Sequence, residues 1–474
     1  MALPSPLPPP GAARFSPGWA ARRVRALFAA GLAVSALMVA RSQVGGDQLN
    51  LLARGWALVA EGRFIPYGNP MSTGGKAPGG VTSLLVGLPL YLWRDHRAAT
   101  LLIFVFHALA YLLLDRALRP ILQPVERVLL AVFYWLNPWQ LYFSGFLWNP
   151  NYLYLFGALH LATTLRQRER PSSWLSLLHV AGLGVALQIH PSALLLVAAS
   201  VLLWLRGYFK VSWAGALSGL VLAALPLVPW VPAVLAEPSL ITAANKGFPG
   251  RGLLLVFPLL RGLLYWLLYS SLAVSGTLNQ FDFTDAFGAG VDRWLAPLVF
   301  GAIQAVGFVS AAVVLVANVW MGKRNRRRLR RIAPDASGRT WLHGYVTWNL
   351  LAAVIIFSLA PTTPMLWQGL ILVQAAVLPI VLWLGALARS RNPRVARYLR
   401  PSVTVYAALS LVFSLAMAFG SPHYRCGGRG SQDIVFPLRY DSPMLYELNI
   451  QQACPRPLND PKGWWPDVLA KPAS

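Results

Sequence analysis

The stretch "ALFAAGLAVSALMVA" (residues 26–40) runs straight into "RSQVGGDQLNLLARGWALVAEGRFIP" (residues 41–66), and the two together decide the fold. The first is uncharged, follows Arg22, Arg23 and Arg25, and has no small-residue cleavage site. It is therefore expected to remain as a membrane span rather than be removed as a signal peptide. Apolar runs of this kind recur along the chain, and many close on an arginine-rich break. The 474 residues are 56% hydrophobic and 12% charged, with a mean hydropathy of +0.52, whereas soluble domains carry about 25% charged residues. Such a chain reads as an all-α polytopic membrane protein. Residues 1–25, rich in proline, are expected to be a disordered cytoplasmic leader.

Spans are expected near 26–41, 99–114, 127–141, 152–165, 173–189, 192–206, 212–233, 296–321, 343–360, 366–387 and 402–420, about eleven in all. With the N-terminus inside, the inner segments hold 25 of the 41 basic residues but 4 of the 16 acidic ones. "KRNRRRLRR" (323–331) and "RSRNPRVARYLR" (389–400) anchor that side. The net charge of +25 thus orients the protein in a membrane and does not point to nucleic acid. The apolar stretches 81–93 and 253–274 are read as juxtamembrane or re-entrant, since counting either as a span would invert every later loop. This leaves a first outer loop at 42–98, a transmembrane region at 26–420 and an extracytoplasmic segment at 421–474. That last segment carries Cys426 and Cys454, which are read as a disulfide in an oxidising compartment or as two unpaired thiols.

The unusual polar residues collect on the outer side. They are Asp47, Lys76 in "STGGKAPGG", Trp148, Asn149 and Asn151 in "FLWNPNYL", His190 in "QIHPS", Lys246 and Arg251 in "NKGFPGRG", and Arg261, with Asp282 and Asp285 in "NQFDFTD". After Asp47, the residues Leu52, Trp56, Val59 and Ala60 fall at i, i+4, i+7 and i+8, the stripe of a helix lying in the interface. Gly45 and Gly46 allow the turn into it. Asp47 either caps that helix or offers a carboxylate to a hydroxyl proton or a metal ion. Arg261 interrupts the apolar run "PLLRGLL" and either holds an anion or snorkels to headgroups. His107, His160 and His179 lie inside spans and read as packed residues. No Walker A, GxGxxG, HExxH or CxxC motif occurs.

An Asp just outside the first span, an amphipathic juxtamembrane helix, "EGRFIPYGNP", "GGKAPGG" and a hydrophobic stretch with "PLYLW" together resemble the membrane-embedded GT-C glycosyltransferases. The closest branch is that of the protein O-mannosyltransferases and lipid A aminoarabinose transferases. The resemblance is clearest over residues 20–195. It implies a multi-span inverting enzyme of the bacterial inner membrane that takes a sugar from a polyprenyl-phosphate donor on the extracytoplasmic side. The acceptor would be a lipid, glycan or protein. Asp47 matches the first-loop Asp of these enzymes. Lys76 stands near their Lys before prolines, though here the string is "KAP". Where relatives have a second acidic residue, this chain has Asn149 and Asn151, and His190-Pro191 stands where relatives have Lys-Gly. A divalent metal, if used, would rest on Asp47.

In that chemistry the leaving phosphate gains negative charge, which cations stabilise. Lys76, His190, Lys246, Arg251 and Arg261 are the candidates. Trp148, Asn149 and Asn151 are the candidates for the sugar or acceptor. Two other readings stay open. An O-antigen polymerase or ligase would rely on the loop 234–295, and a lipid or sugar transporter would place its ionisable groups nearer the midplane.

Overall fold

Helices begin where the sequence supplies caps. Ser16, Asp95, Asn137, Ser172 and Ser337 each precede a helix and accept a hydrogen bond from a backbone N–H two or three residues on. The computed structural model describes residues 16–42, 44, 46–71, 75–241, 256–278, 292–325, 336–360, 364–390, 392–419 and 443–450. The order opens with α1 (Pro17–Ala40), α2 (Gly46–Ala60), the strands β1 (Tyr67–Pro70) and β2 (Lys76–Pro78), α3 (Val81–Leu92) and α4 (His96–Leu118). It continues with α5 (Pro124–Leu130), α6 (Pro138–Ser144), α7 (Leu153–Arg166), α8 (Ser173–Ile189), α9 (Leu194–Leu205), α10 (Trp213–Ala224) and α11 (Trp230–Ala236). Then come α12 (Val256–Leu268), α13 (Ser275–Leu278), α14 (Asp292–Asn325), α15 (Gly338–Ser358), α16 (Val373–Ala376), α17 (Leu378–Ala388), α18 (Pro393–Phe419) and α19 (Pro443–Glu447).

The protein is a predominantly helical integral membrane protein with one two-stranded hairpin. Six of its described helical segments are long and apolar enough to cross a membrane, and a seventh crossing is available if the bent pair Trp213–Leu227 and Trp230–Ala236 acts as one. Four of the eleven expected spans are shorter or broken. The span expected at 127–141 consists of α5, a π-turn at Ala131–Trp135 and α6. Those expected at 152–165, 173–189 and 192–206 are helices of 14, 17 and 12 residues. Two of them, α7 and α9, are preceded by 3-10 turns at Asn149–Tyr152 and Pro191–Ala193. Irregular backbone is tolerated at membrane depth where protein covers it. The stretches 81–93 and 253–274 form α3 and α12, of 12 and 13 residues, neither long enough to cross.

The basic segments meet at one end of the bundle. There Glu126, fully buried, accepts from Arg339 at 2.5 Å and Arg389 at 2.9 Å. Asp115 accepts from Arg127 at 2.7 Å and Arg119 at 3.2 Å. These pairs join loops that the charge pattern had placed on one side. Trp174, Trp204 and Trp213 are exposed at helix ends near the basic end, and Tyr91, Trp93 and Trp294 at the other. Exposed aromatics in two belts mark the two interfaces of a bilayer.

Between the belts, the intramembrane histidines are packed. Ser200 donates to Leu196 O at 2.8 Å, so both imidazoles that touch its Oγ must donate to it. These are Nε2 of His160 and Nε2 of His179, each at 3.0 Å. Nδ1 of His160 then accepts from Tyr345 Oη at 2.8 Å. Nδ1 of His179 lies 2.8 Å from Thr163 Oγ1, whose hydroxyl also reaches Leu159 O at 2.8 Å. Ser200 thereby joins α7, α8 and α9, and Tyr345 ties α15 to them through His160.

Near the other end, the short C-terminal segment docks on the α3–α4 turn. Asn449 Nδ2 donates to Asp95 Oδ2 at 3.0 Å, and His96 N donates to Leu448 O at 2.9 Å. Burial alone would raise the Asp95 pKa, but hydrogen bonds from Arg97 and Asn449 outweigh it and bring it down to about 2. Cys426 and Cys454 lie outside the described residues.

Candidate active site

α2 is where the structure departs most from the sequence reading. It runs from Gly46 to Ala60, and it is covered on nearly every side instead of lying in the interface. Leu49, Leu51, Leu52, Ala53, Trp56 and Ala57 are all buried. Its single cation, Arg54, has no exposed surface at all (0%). A helix that is apolar all round belongs inside a protein, and "LNLLARGWALVA" carries that signal.

Arg54 holds a β-hairpin that the sequence reading did not anticipate. Its Nη1 donates to Tyr67 O at 2.5 Å and its Nε to Asn69 Oδ1 at 3.2 Å. The guanidinium also lies 5.3 Å from the centre of the Tyr67 ring. Burial lowers its pKa to about 10, with Tyr67 opposing, so it remains charged at neutral pH. The hairpin carries Lys76, whose Nζ sits 4.5 Å from the centre of the same ring. Burial lowers the Lys76 pKa, Glu237 opposes this, and Arg54 adds to it. After β2, Gly79 has φ +83°, and a Cβ there would come within 2.2 Å of Gln188 Oε1. The hairpin is therefore pressed against the end of α8 in a way only glycine permits.

Replacing Arg54 with leucine is expected to leave Tyr67 O and Asn69 Oδ1 unpaired and to cost about 2–4 kcal/mol. Hydrogen exchange should show the amides of 67–78 losing protection while those of α4 keep theirs. Unchanged protection of the hairpin would refute the anchoring role.

Asp47 occupies the first turn of α2, where the positive end of the helix dipole favours negative charge. Its side chain is exposed, and its Oδ2 accepts from Trp148 Nε1 at 3.0 Å. The next residue, Gln48, donates from Nε2 to Leu147 O at 3.1 Å. Two adjacent bonds thus fasten the head of α2 to the segment before α7. Trp148 stacks on Phe143 at 5.9 Å, meets Phe146 edge-on at 5.9 Å and leans on Trp367 at 4.8 Å. The result is an aromatic wall beside an exposed carboxylate.

Asn149 and Asn151 differ in role. Asn151 is fully buried, donates from Nδ2 to Phe146 O at 2.7 Å, and offers its backbone oxygen to His107 Nε2 at 2.8 Å. It braces the turn. Asn149 is also buried, and the Oδ1 of each asparagine has no hydrogen-bond partner among the described residues. Arg261, on α12, donates to Tyr265 Oη and reaches Met365 Sδ at 3.5 Å. Met365 leads into the turn Leu366–Leu372 that carries Trp367, so Arg261 reaches the segment that supplies part of the aromatic wall. His190 caps the turn after α8: its Nδ1 accepts from Ser192 N at 3.2 Å, which leaves the proton of the neutral ring on Nε2. Desolvation brings its pKa down to about 4, so it stands as a neutral donor at pH 7.

The turns at Asn149–Tyr152 and Pro191–Ala193 both pack against Leu366–Leu372, and α8 touches both β2 and the first of these turns. Asp47, Lys76, Trp148, Asn149, His190 and Arg261 are therefore gathered at one end of the bundle. Lys246, Arg251, Asp282 and Asp285 lie outside the described residues. Among the described residues no three His, Cys, Asp or Glu side chains gather as metal ligands. Asp47 Oδ2 is engaged by an indole. Sequence reasoning missed Arg54, Gln48 and Trp367. Arg54 alone had a local signal, as the lone charge in an apolar helix.

No protein-family model matches the chain, and no curated protein matches it. Among solved structures, two crystal structures of ArnT from Cupriavidus metallidurans align with it, one in the apo state and one bound to undecaprenyl phosphate. Each covers 85% of this chain, and 78% and 77% of its own, at 14% and 16% identity with TM-scores of 0.42 and 0.41. Function therefore rests on the residues of the site itself.

Proposed function

We propose that this chain is a membrane glycosyltransferase that moves a sugar from a polyprenyl-phosphate donor to a lipid, glycan or protein acceptor. The observation that carries this reading is the exposed Asp47 carboxylate, held by the Trp148 indole beside an aromatic wall. A sugar presents an apolar face to stacked aromatics and hydroxyls to a carboxylate and an amide. The resemblance of the first outer loop to GT-C enzymes points the same way.

In this reading the acceptor hydroxyl attacks the anomeric carbon as its proton passes to Asp47. The bond from that carbon to the phosphate oxygen breaks, and the electron pair leaves with the polyprenyl phosphate. Single displacement inverts the anomeric centre. Arg261, Lys76 and the neutral N–H of His190 are the described donors at this end that can offset the growing charge on the phosphate. Trp148 does two things: it orients the carboxylate and it supplies a stacking face.

The test is transfer of a radiolabelled sugar from its polyprenyl-phosphate carrier by the purified full chain in proteoliposomes, supplied with envelope lipids, glycans or proteins as acceptors. Label should leave the donor as free polyprenyl phosphate accumulates, and Trp148→Ala should slow this about 10- to 100-fold. Movement of intact donor across the bilayer without bond cleavage would replace this reading with a transporter.

A further inference from the structure

The basic end of the bundle holds a feature that sugar transfer does not use. A cavity of about 500 Å³ opens between the last turns of α4 and α7 and the first turn of α15. Four arginines line it, Arg116, Arg166, Arg168 and Arg339, with one carboxylate, Glu169. Glu169 is engaged by Arg168 at 2.6 Å, and Arg339 reaches away to Glu126. Among the described residues, Arg116 and Arg166 have no carboxylate partner. The cavity thus keeps an excess of positive charge after its internal pairs are counted.

Gly338 shapes its wall. A Cβ there would lie 2.8 Å from Ile121 Cγ1 and 3.1 Å from Arg168 Nη1, so the start of α15 comes closer to Arg168 than a larger residue allows. A second hollow of about 550 Å³, lined by Leu112, Asp115, Arg116 and Arg119, shares Arg116 with the first. Above it on α4 runs a row of exposed apolar side chains, Leu101, Val105, Leu109 and Leu112, spaced 4, 4 and 3 residues apart. That spacing puts them on one face of the helix, pointing to lipid. The row ends at Arg116 and Arg119, near the depth at which Trp174, Trp204 and Trp213 mark the interface.

We propose that this cavity binds the headgroup of an anionic phospholipid, with one acyl chain along the Leu101–Leu112 row of α4. A phosphate diester matches the unpaired guanidiniums, which bind such oxygens in a bidentate fork. The apolar row continuous with the charge selects a lipid over a free anion. Basic pockets between helices are the usual form of such sites. The inference does not rest on the proposed transferase activity, because the pocket residues lie at the end of the bundle away from Asp47.

The test is native mass spectrometry of the full chain in a neutral detergent, titrated with phosphatidylglycerol or phosphatidylcholine. Two unpaired arginines should favour phosphatidylglycerol about thirtyfold. The double variants Arg116→Gln/Arg166→Gln and Arg116→Glu/Arg166→Glu should lose that preference. Both side chains are exposed, so their melting temperatures without lipid should match wild type. Equal retention of the two lipids by wild type, or an unchanged preference in a variant that melts normally, would overturn the proposal. So would displacement of phosphatidylglycerol by millimolar inorganic phosphate, which would make the site one for a free anion.

Discussion

Asp47→Asn lowers sugar transfer by about 10²- to 10⁴-fold, the usual contribution of a positioned general base, and leaves the protein folded. An amide cannot take the proton of an acceptor hydroxyl, but its oxygen can still accept from Trp148 Nε1, the bond that the carboxylate accepts at 3.0 Å. Gln48 continues to fasten the head of α2 to Leu147. The melting temperature should therefore stay close to wild type, which separates lost chemistry from lost structure. Binding of the donor lipid should change little, so the loss should fall on kcat rather than KM. Measurement of single-turnover rates and donor affinity on the same preparation checks both points. Full activity in the asparagine variant would remove Asp47 from the chemistry. It would favour a polymerase or ligase that works through the loop 234–295.

Ser200→Ala should destabilise the core by about 1–3 kcal/mol. Its hydroxyl is the shared acceptor for the Nε2–H groups of His160 and His179, each 3.0 Å away. Removing it leaves two buried N–H donors without their acceptor, and each orphaned group costs about 1–3 kcal/mol. His179 can shift its proton to Nδ1 and donate to Thr163 Oγ1, whose own hydroxyl bonds Leu159 O, whereas the same shift in His160 would take the acceptor from the Tyr345 hydroxyl. Tautomer exchange therefore relieves His179 and leaves the deficit at His160. Thermal unfolding in detergent, followed by tryptophan fluorescence, should show the lower melting temperature. Sugar transfer well below that temperature should be nearly unaffected, because neither histidine touches the Asp47 site. A variant as stable as wild type would show that the four helices are held by packing alone.

The class of the fold could be read from the chain because lipid imposes it. Uncharged runs such as 26–40 have few stable fates other than a helix in a bilayer, and the loops with excess arginine meet where the charge pattern places them. Asp47 also stands out in the sequence: an acidic residue is rare here, and this one lies just beyond a span. Asn151 is a contrasting case. The sequence offers it as a sugar ligand; its Nδ2 is committed to Phe146 O in a buried turn, while its Oδ1 has no partner among the described residues. Nothing in "NPNYL" reveals that commitment, since it depends on how the turn packs against α4.

Most of the site depends on pairs far apart in the chain. Asp47 meets Trp148 across 101 residues, and Arg261 reaches Met365 across 104. Periodicity reports which face of a helix is apolar, but not what covers it. That is why α2 read as an interfacial helix. In the folded protein, α3 and the hairpin cover it, and Arg54 becomes a buried anchor. The sequence by itself determined a helical membrane protein, its charged side and its one conspicuous carboxylate, because each follows from the local cost of placing charge in lipid. Only the tertiary structure decided which aromatic stands beside that carboxylate, because their meeting depends on long-range packing that no local pattern encodes.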